Sequence, residues 1–269
     1  LVLMYGRDTA SAGSWFRVPL YDMSLRLVFA ASVGPLLSEE IATDEMARHF
    51  STWNHSAPLL FANVPSVFLR KAIASREEMV RILKSPLFSE SMTEHFKKRK
   101  DLYPDPELFA RSALSMVFAA SGNSIPSVFW MIGNLATEPK ALSAVSAEVT
   151  KLQTDSTYLS LAELDKMTTI DAIWTETMRF YQASLFPRDI KKDMIVELHH
   201  HRPGYQGPKK FRLKEGTRRM GFIGIRHYDA DTFAEPTKFV WDRFVPDPKT
   251  GKPPVFRMGD TVLEEPVIA

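Results

Sequence analysis

From Ser112 to Thr137 the chain reads SALSMVFAASGNSIPSVFWMIGNLAT, without a charged side chain. A segment this long and apolar has two homes. One is a lipid bilayer, which takes about 20 apolar residues to cross. The other is the middle of a large core. Five serines, two asparagines, two glycines and a proline within the segment favour the core, because a polar group buried in lipid without a partner is costly. The chain is therefore expected to pack around a central helix, and its 269 residues are enough to bury one. Asp105 and Pro106 suit an N-cap and a first turn, so the spacing predicts this helix over about 106–137. Pro126 falls in its middle. Proline there costs roughly 3 kcal/mol and removes one ladder hydrogen bond, freeing the carbonyl four residues back. That carbonyl belongs to Gly122, and Asn123 adds an amide beside it. Either the resulting kink lines a cavity for a small polar molecule or water, or the hydroxyl of Ser121 or Ser124 closes it.

Helical patterning extends to both sides. Residues 23–32 read as an apolar helix that stops before Pro35, and 38–50 as one with acidic residues in its first turn. Residues 65–84 form an amphipathic pattern opening at Pro65, with Val67, Leu69, Ile73, Met79, Ile82 and Leu83 as its apolar positions. Residues 89–100 read as a polar helix with a solvated basic end. A further helix follows Pro139, and Ser160 with Glu163 has the form of a capping box. In TTIDAIWTETMRFY, the helix of about 169–181, Ile170, Ile173 and Trp174 make the apolar face. By periodicity Glu176 and Arg179 fall away from it, as a surface pair worth a few tenths of a kcal/mol. From 183 the character changes: MIVEL and KFRLKEG are short strand candidates. The fold class predicted is mainly α with a small β portion (α+β), helical over about 1–182, with a small sheet and an irregular Pro- and Asp-rich region over 183–269.

Composition removes several functions. A net charge of +2 with no long Lys/Arg run gives no case for nucleic acid. With no cysteine, disulfides, zinc–thiolate sites and a Cys nucleophile are excluded within these residues. His199, His200 and His201 would alternate sides on an extended chain, a poor metal site. GRDTASAG lacks the Lys and the setting of a phosphate loop. The first residue is Leu, no secretory signal follows, and the last residues lack a cap; the chain reads as a piece of something longer.

Three segments in fixed order carry a resemblance. ETMR (176–179) resembles the Glu-x-x-Arg helix of the cytochrome P450 family, which are haem-thiolate oxygenases. PTKFVWDRF (236–244) resembles that family's Pro-x-x-Phe and Arg-Phe segment, and FAASGNSIPSVFW (118–130) its long helix over the haem. Asn-Ser-Ile-Pro followed by Phe-Trp, and RHYDADTFAEP further on, are similar to the branch holding sterol 7α-hydroxylases and prostacyclin synthase. The resemblance covers nearly the whole chain and is weak before residue 60.

The resemblance implies that 1–269 is part of a single P450 domain with haem as cofactor. It implies that Glu176, Arg179 and Arg243 form a buried ion network supporting the haem-ligand loop, against the periodicity reading. Arg188 is then the partner of a haem propionate and Ala119 a second haem-side residue. Phe118, Ser184, Leu185 and Phe186 line the substrate pocket. Gly122 and Asn123, beside Ser124, stand where most of the family carries an acidic residue and Thr for delivering protons to oxygen. The implied reaction oxidises a lipophilic small molecule such as a sterol, fatty acid or secondary metabolite, with O2 and an NADPH-dependent reductase. Alternatives are rearrangement of a lipid peroxide on the same scaffold, or a non-catalytic remnant. The parent is expected at the endoplasmic reticulum membrane, with its anchor and its axial cysteine outside these residues. No metal ligand is assigned within the chain, which is expected to be inactive alone.

Overall fold

The computed structural model describes residues 17–152, 159–182, 184–197, 210–247 and 249, and the backbone of two strands at 256–258 and 261–263. They form two compact units, residues 1–129 and 130–269. The fold is mainly helical with a small β portion, as expected.

The first unit is helical. Its main elements are α1 (Leu20–Leu36), α2 (Asp44–His55), α3 (Ala57–Phe61), α4 (Arg70–Leu83), α5 (Pro86–Ser91), α6 (Glu94–Lys100) and α7 (Pro106–Ser121). The core joins Phe29 and Val33 of α1, Phe50 of α2, Met79 and Leu83 of α4, and Ala113 and Val117 of α7. Phe88, Phe96 and Phe109 meet ring to ring within it. Small residues on α7 let the central helix be approached closely, while the aromatic rings fill the corners.

Local chemistry moved several helix ends from their expected places. Helix α1 continues through Pro35 instead of stopping before it. Pro35 and Ala31 both lie on the exposed side, so the carbonyl that Pro35 leaves without a helical donor is open to water. The stretch 38–50 is not one helix. Ser38 caps a short 3₁₀ turn, Glu39–Ile41, and Thr43 caps α2 by accepting from the Met46 amide. The helix expected from Pro65 starts at Arg70, after a separate 3₁₀ turn at Ser66–Phe68. Val67 is consequently exposed, and the buried face of α4 is Ala72, Ser75, Met79, Val80 and Leu83. Residues 89–100 divide into the end of α5 and α6, parted at Met92–Thr93, where the Thr93 amide and hydroxyl donate to the Leu37 and Leu36 carbonyls.

The uncharged segment is two helices. Helix α7 ends at Ser121, and α8 (Ser124–Thr137) begins after a break at Gly122–Asn123. Among the described residues no helix is long and apolar enough to cross a membrane.

The second unit holds α9 (Pro139–Leu152), α10 (Leu161–Leu164), α11 (Thr168–Tyr181) and α12 (Ile223–His227). It also holds three antiparallel pairs. Strand β1 (Leu185–Asp189) pairs with β4 (Arg218–Phe222), β2 (Met194–Glu197) with β3 (Lys210–Leu213), and β5 (Phe256–Met258) with β6 (Thr261–Leu263). Gly216, at a φ of 77°, turns the chain from β3 into β4, a conformation that only glycine adopts freely. Ser160 and Glu163 complete the expected capping box on α10. The start of α11 is held by a carboxylate far along the chain: the Thr169 and Ile170 amides donate to Glu148 of α9 at 2.9 and 3.1 Å.

Candidate functional site

Helix α11 buries Ala172, Ile173, Glu176, Thr177 and Arg179. The surface pair expected from periodicity is therefore inside: Glu176 and Arg179 are both 0% exposed, and the Arg243 side chain 7%. Glu176 takes Arg179 in bidentate fashion, accepting from Nε at 2.7 Å and Nη2 at 2.8 Å. The remaining Arg179 donors reach the carbonyls of His227 (2.8 Å), Pro236 (2.8 Å) and Lys238 (3.1 Å). All five N–H groups of the guanidinium are thus used. Arg243 donates from Nε to the two Glu176 oxygens at 3.2 and 3.1 Å, and the Val240 amide donates to Glu176 Oε1 at 2.8 Å. Arg243 Nη1 also holds the Ala234 carbonyl at 2.6 Å. The Phe233 ring lies beneath both guanidiniums, at 5.3 Å from Arg179 and 5.9 Å from Arg243.

Periodicity misses this because the surface that covers Glu176 is the turn-rich segment 228–247, which has no period of its own. That segment presents carbonyls inward. One carboxylate, two guanidiniums and a ring of carbonyls satisfy one another, so the arrangement is a structural clamp on an irregular loop. His227, on whose carbonyl Arg179 rests, is itself buried, and neither of its ring nitrogens has a partner. Burial, and next the Arg179 charge, push its pKa down. At neutral pH it is an uncharged imidazole packed behind the clamp.

Within the same unit β1 presents a different surface. Ser184, Leu185, Phe186 and Arg188 are all exposed. The Arg188 guanidinium lies flat over the Phe186 ring at 3.5 Å, and Nη1 donates to the Pro187 carbonyl. Among the described residues no carboxylate lies in salt-bridge reach of Arg188. A cation resting on an aromatic ring suits a flat apolar ligand that carries an acid group. Tyr181 closes the C-terminal end of α11, stacked on Trp130 at 4.3 Å and donating to Asn134 Oδ1 at 3.2 Å. The sequence reading did not single out this contact, nor the Glu148 cap.

In the first unit the break at Gly122–Asn123 coincides with the proline-derived kink. The Gly122 amide still donates to the Phe118 carbonyl at 2.8 Å. Ser124 Oγ donates to the Ala120 carbonyl at 2.9 Å, and Ser121 Oγ is buried without a partner. Neither serine therefore relieves the Gly122 carbonyl. Asn123 and Ala119, one turn apart, are both exposed. Phe118 is half-buried between Trp53 and Phe61, edge to face with each. A Cβ on Gly122 would stand 3.4 Å from the Phe118 ring and 2.9 Å from its carbonyl, so the break has little room for a larger residue.

Ala183 and residues 199–201 lie outside the described residues. The described residues also contain one cluster of metal-ligand type, Glu45, His49 and Glu78 on α2 and α4, which the sequence reading did not assign.

Residues 43–257 match the family model described as Cytochrome P450. The chain is 24% identical over 247 residues to mouse Cytochrome P450 7B1, covering 85% of this chain and 47% of that protein. It is 21% identical to rat Cytochrome P450 7A1, covering 95% and 54%, and 25% identical to rat prostacyclin synthase, covering 57% and 31%. Among solved structures, retinoic acid-bound cyanobacterial CYP120A1 superposes with a TM-score of 0.55 at 20% identity, covering 84% of this chain and 52% of that one. The chain spans about half the length of the curated relatives it matches. A match across most of the chain, on a fold shared with solved members, shows that it belongs to the cytochrome P450 family.

Proposed function

We propose that the protein to which these residues belong is a haem-thiolate monooxygenase acting on a lipophilic substrate, such as a sterol, fatty acid or secondary metabolite. Its electrons come from an NADPH-dependent reductase and its oxygen from O2. The observation that carries this reading is the Glu176–Arg179–Arg243 clamp. It fixes the meander of the family's Arg-Phe segment, which leads towards the thiolate loop. The two units are parts of one P450 domain on this reading, which the single family match running through both supports. The membrane of the endoplasmic reticulum is the proposed location, with any spanning anchor supplied from outside the described residues.

Members of this family bind haem, and the residues present fit it. Arg188, an exposed cation without a carboxylate partner on an aromatic strand face, would hold a propionate. Ala119, on the exposed side of α7, is small enough for the flat macrocycle to approach. When bound, the haem supplies the redox iron, and a thiolate ligand favours O–O cleavage. The chain's own residues do the rest. In the second unit Ser184, Leu185 and Phe186 offer exposed apolar surface with one hydroxyl to the substrate, and in the first unit Phe118 offers a half-buried ring. At the break, the Gly122 carbonyl accepts, while the exposed Asn123 amide both donates and accepts. Together with Ser124 they can orient a water, but none of them titrates near neutrality, so none supplies a proton by itself.

That lack favours a second reading: Gly122 and Asn123 in place of an acid and Thr also suit rearrangement of a lipid peroxide, which needs no external electrons. The full-length protein separates the two. Turnover of a lipophilic substrate only with NADPH, reductase and O2 supports the monooxygenase. Conversion of a lipid hydroperoxide or endoperoxide without them overturns it. Asn123→Ala should change turnover far more than the unfolding midpoint, at unchanged haem content. Residues 1–269 alone contain no cysteine, so their reduced, carbon monoxide-bound spectrum should lack the thiolate band.

A further inference from the structure

The register of β1 and β4 sets Arg188 directly opposite Arg219. Directly opposed residues of an antiparallel pair share a face, with Cβ atoms about 4.5–5.5 Å apart. The same register places Phe186 opposite Gly221, so the face reads arginine pair, then ring and glycine. The other face is balanced, because Asp189 opposes Arg218 and pairs with its Nε at 2.7 Å. Arg219 has no such relief. Among the described residues no carboxylate reaches Arg188 or Arg219. The two nearby acids are already engaged, Asp189 by Arg218 and Asp193 by Arg212 and the Glu215 amide. Both arginines border a groove of about 520 Å³ that is lined also by Lys191 and Lys192 and by the two engaged carboxylates, Asp189 and Asp193. Like charges directly across a strand pair destabilise it. Such a pairing is held at a cost unless an anion lies between the two groups.

We propose that Arg219 and Arg188 together form a seat for two carboxylates, and that Arg219 is a second anchor for the haem's acid edge. This rests on the proposed haem reading and extends it to a residue no motif marks. Guanidiniums pair with carboxylates in a planar, two-point geometry. The Phe186 ring under Arg188 and the bare Gly221 beside it leave an apolar floor next to that charge. A flat ligand with an apolar body and two adjacent carboxylates matches both features.

The test uses the full-length protein, stripped of haem and titrated with haemin and with its dimethyl ester, which lacks the free acids. Binding is followed by the Soret shift and by the rate of transfer to apomyoglobin. Arg219→Ala should weaken haemin binding about tenfold, the usual cost of a lost charge-assisted contact. It should leave binding of the ester unchanged, and Arg219→Lys should recover part of the loss. Arg219 is exposed and faces a like charge, so the haem-free Arg219→Ala variant should unfold at or slightly above the wild-type midpoint. Loss with Arg188→Ala but none with Arg219→Ala would overturn this inference and leave the haem reading intact. No loss with either would overturn both. Equal loss for haemin and ester would show that Arg219 acts through the fold, which also overturns the inference.

Discussion

Two sets of arginines in the same unit differ in how they are satisfied. Arg179 is buried, and each of its donors has a partner within the chain. Arg188 and Arg219 are exposed and have no acid among the described residues. The first arrangement is closed, because adding a ligand would break bonds already made. The second is open, and its charge is available to something outside the chain. Both are read from the same side-chain chemistry, so the accounting of partners separates a structural arginine from one proposed to bind.

The sharpest way to break that contrast is Glu176→Gln. It leaves two guanidiniums buried without a counter-charge, and should cost about 3–5 kcal/mol, measured by urea unfolding of the full-length protein with loss of bound haem. A change below about 1 kcal/mol would mean that the carbonyl ring alone holds Arg179. His227 sharpens the same side through pH. Its folded pKa is depressed by burial and the Arg179 charge, so the unfolded chain takes up the proton first. Its stabilising contribution is therefore complete above the ordinary histidine pKa and declines as pH falls from there to the folded value. A His227→Gln variant should flatten that acid limb of the unfolding midpoint; an identical limb would clear His227. Glu148→Gln comes next. Losing the carboxylate that caps α11 should cost about 1 kcal/mol, seen as a modest fall in melting temperature with the haem retained. Smallest is Asp189→Asn. The exposed pair it breaks should leave the unfolding midpoint where it is, while freeing Arg218 to bind anions more strongly in a salt-dependent way. A large loss of stability there would erase the distinction between the two arginine classes.

How much was legible in sequence follows the same division. The break at Gly122–Asn123 could be anticipated because proline removes a specific donor, a purely local effect. The Ser160–Glu163 capping box was local too. Helix starts at Asp44 and Arg70 were missed because 3₁₀ turns compete with the first helical turn over differences too small for periodicity to register. Burial of Glu176 and Arg179 was invisible to periodicity and visible only through family likeness, since their covering segment has no repeating pattern. The Glu148 cap joins residues 21 and 22 positions apart, and no local signal announces it. The opposition of Arg188 and Arg219 depends on the β1–β4 register, which no local pattern in the sequence sets.

The clamp also has a schedule. Glu176 meets Val240 and Arg243 only 64 and 67 residues further along the chain. At a synthesis rate of about 5–20 residues per second, Glu176 leaves the ribosome roughly 3–13 seconds before its partners do. During that interval Glu176 and Arg179 can hold only each other and water, and the apolar face beside them stays uncovered. A ribosome that pauses between codons 180 and 240 would prolong that exposure, and a chaperone that covers α11 would shorten its consequences.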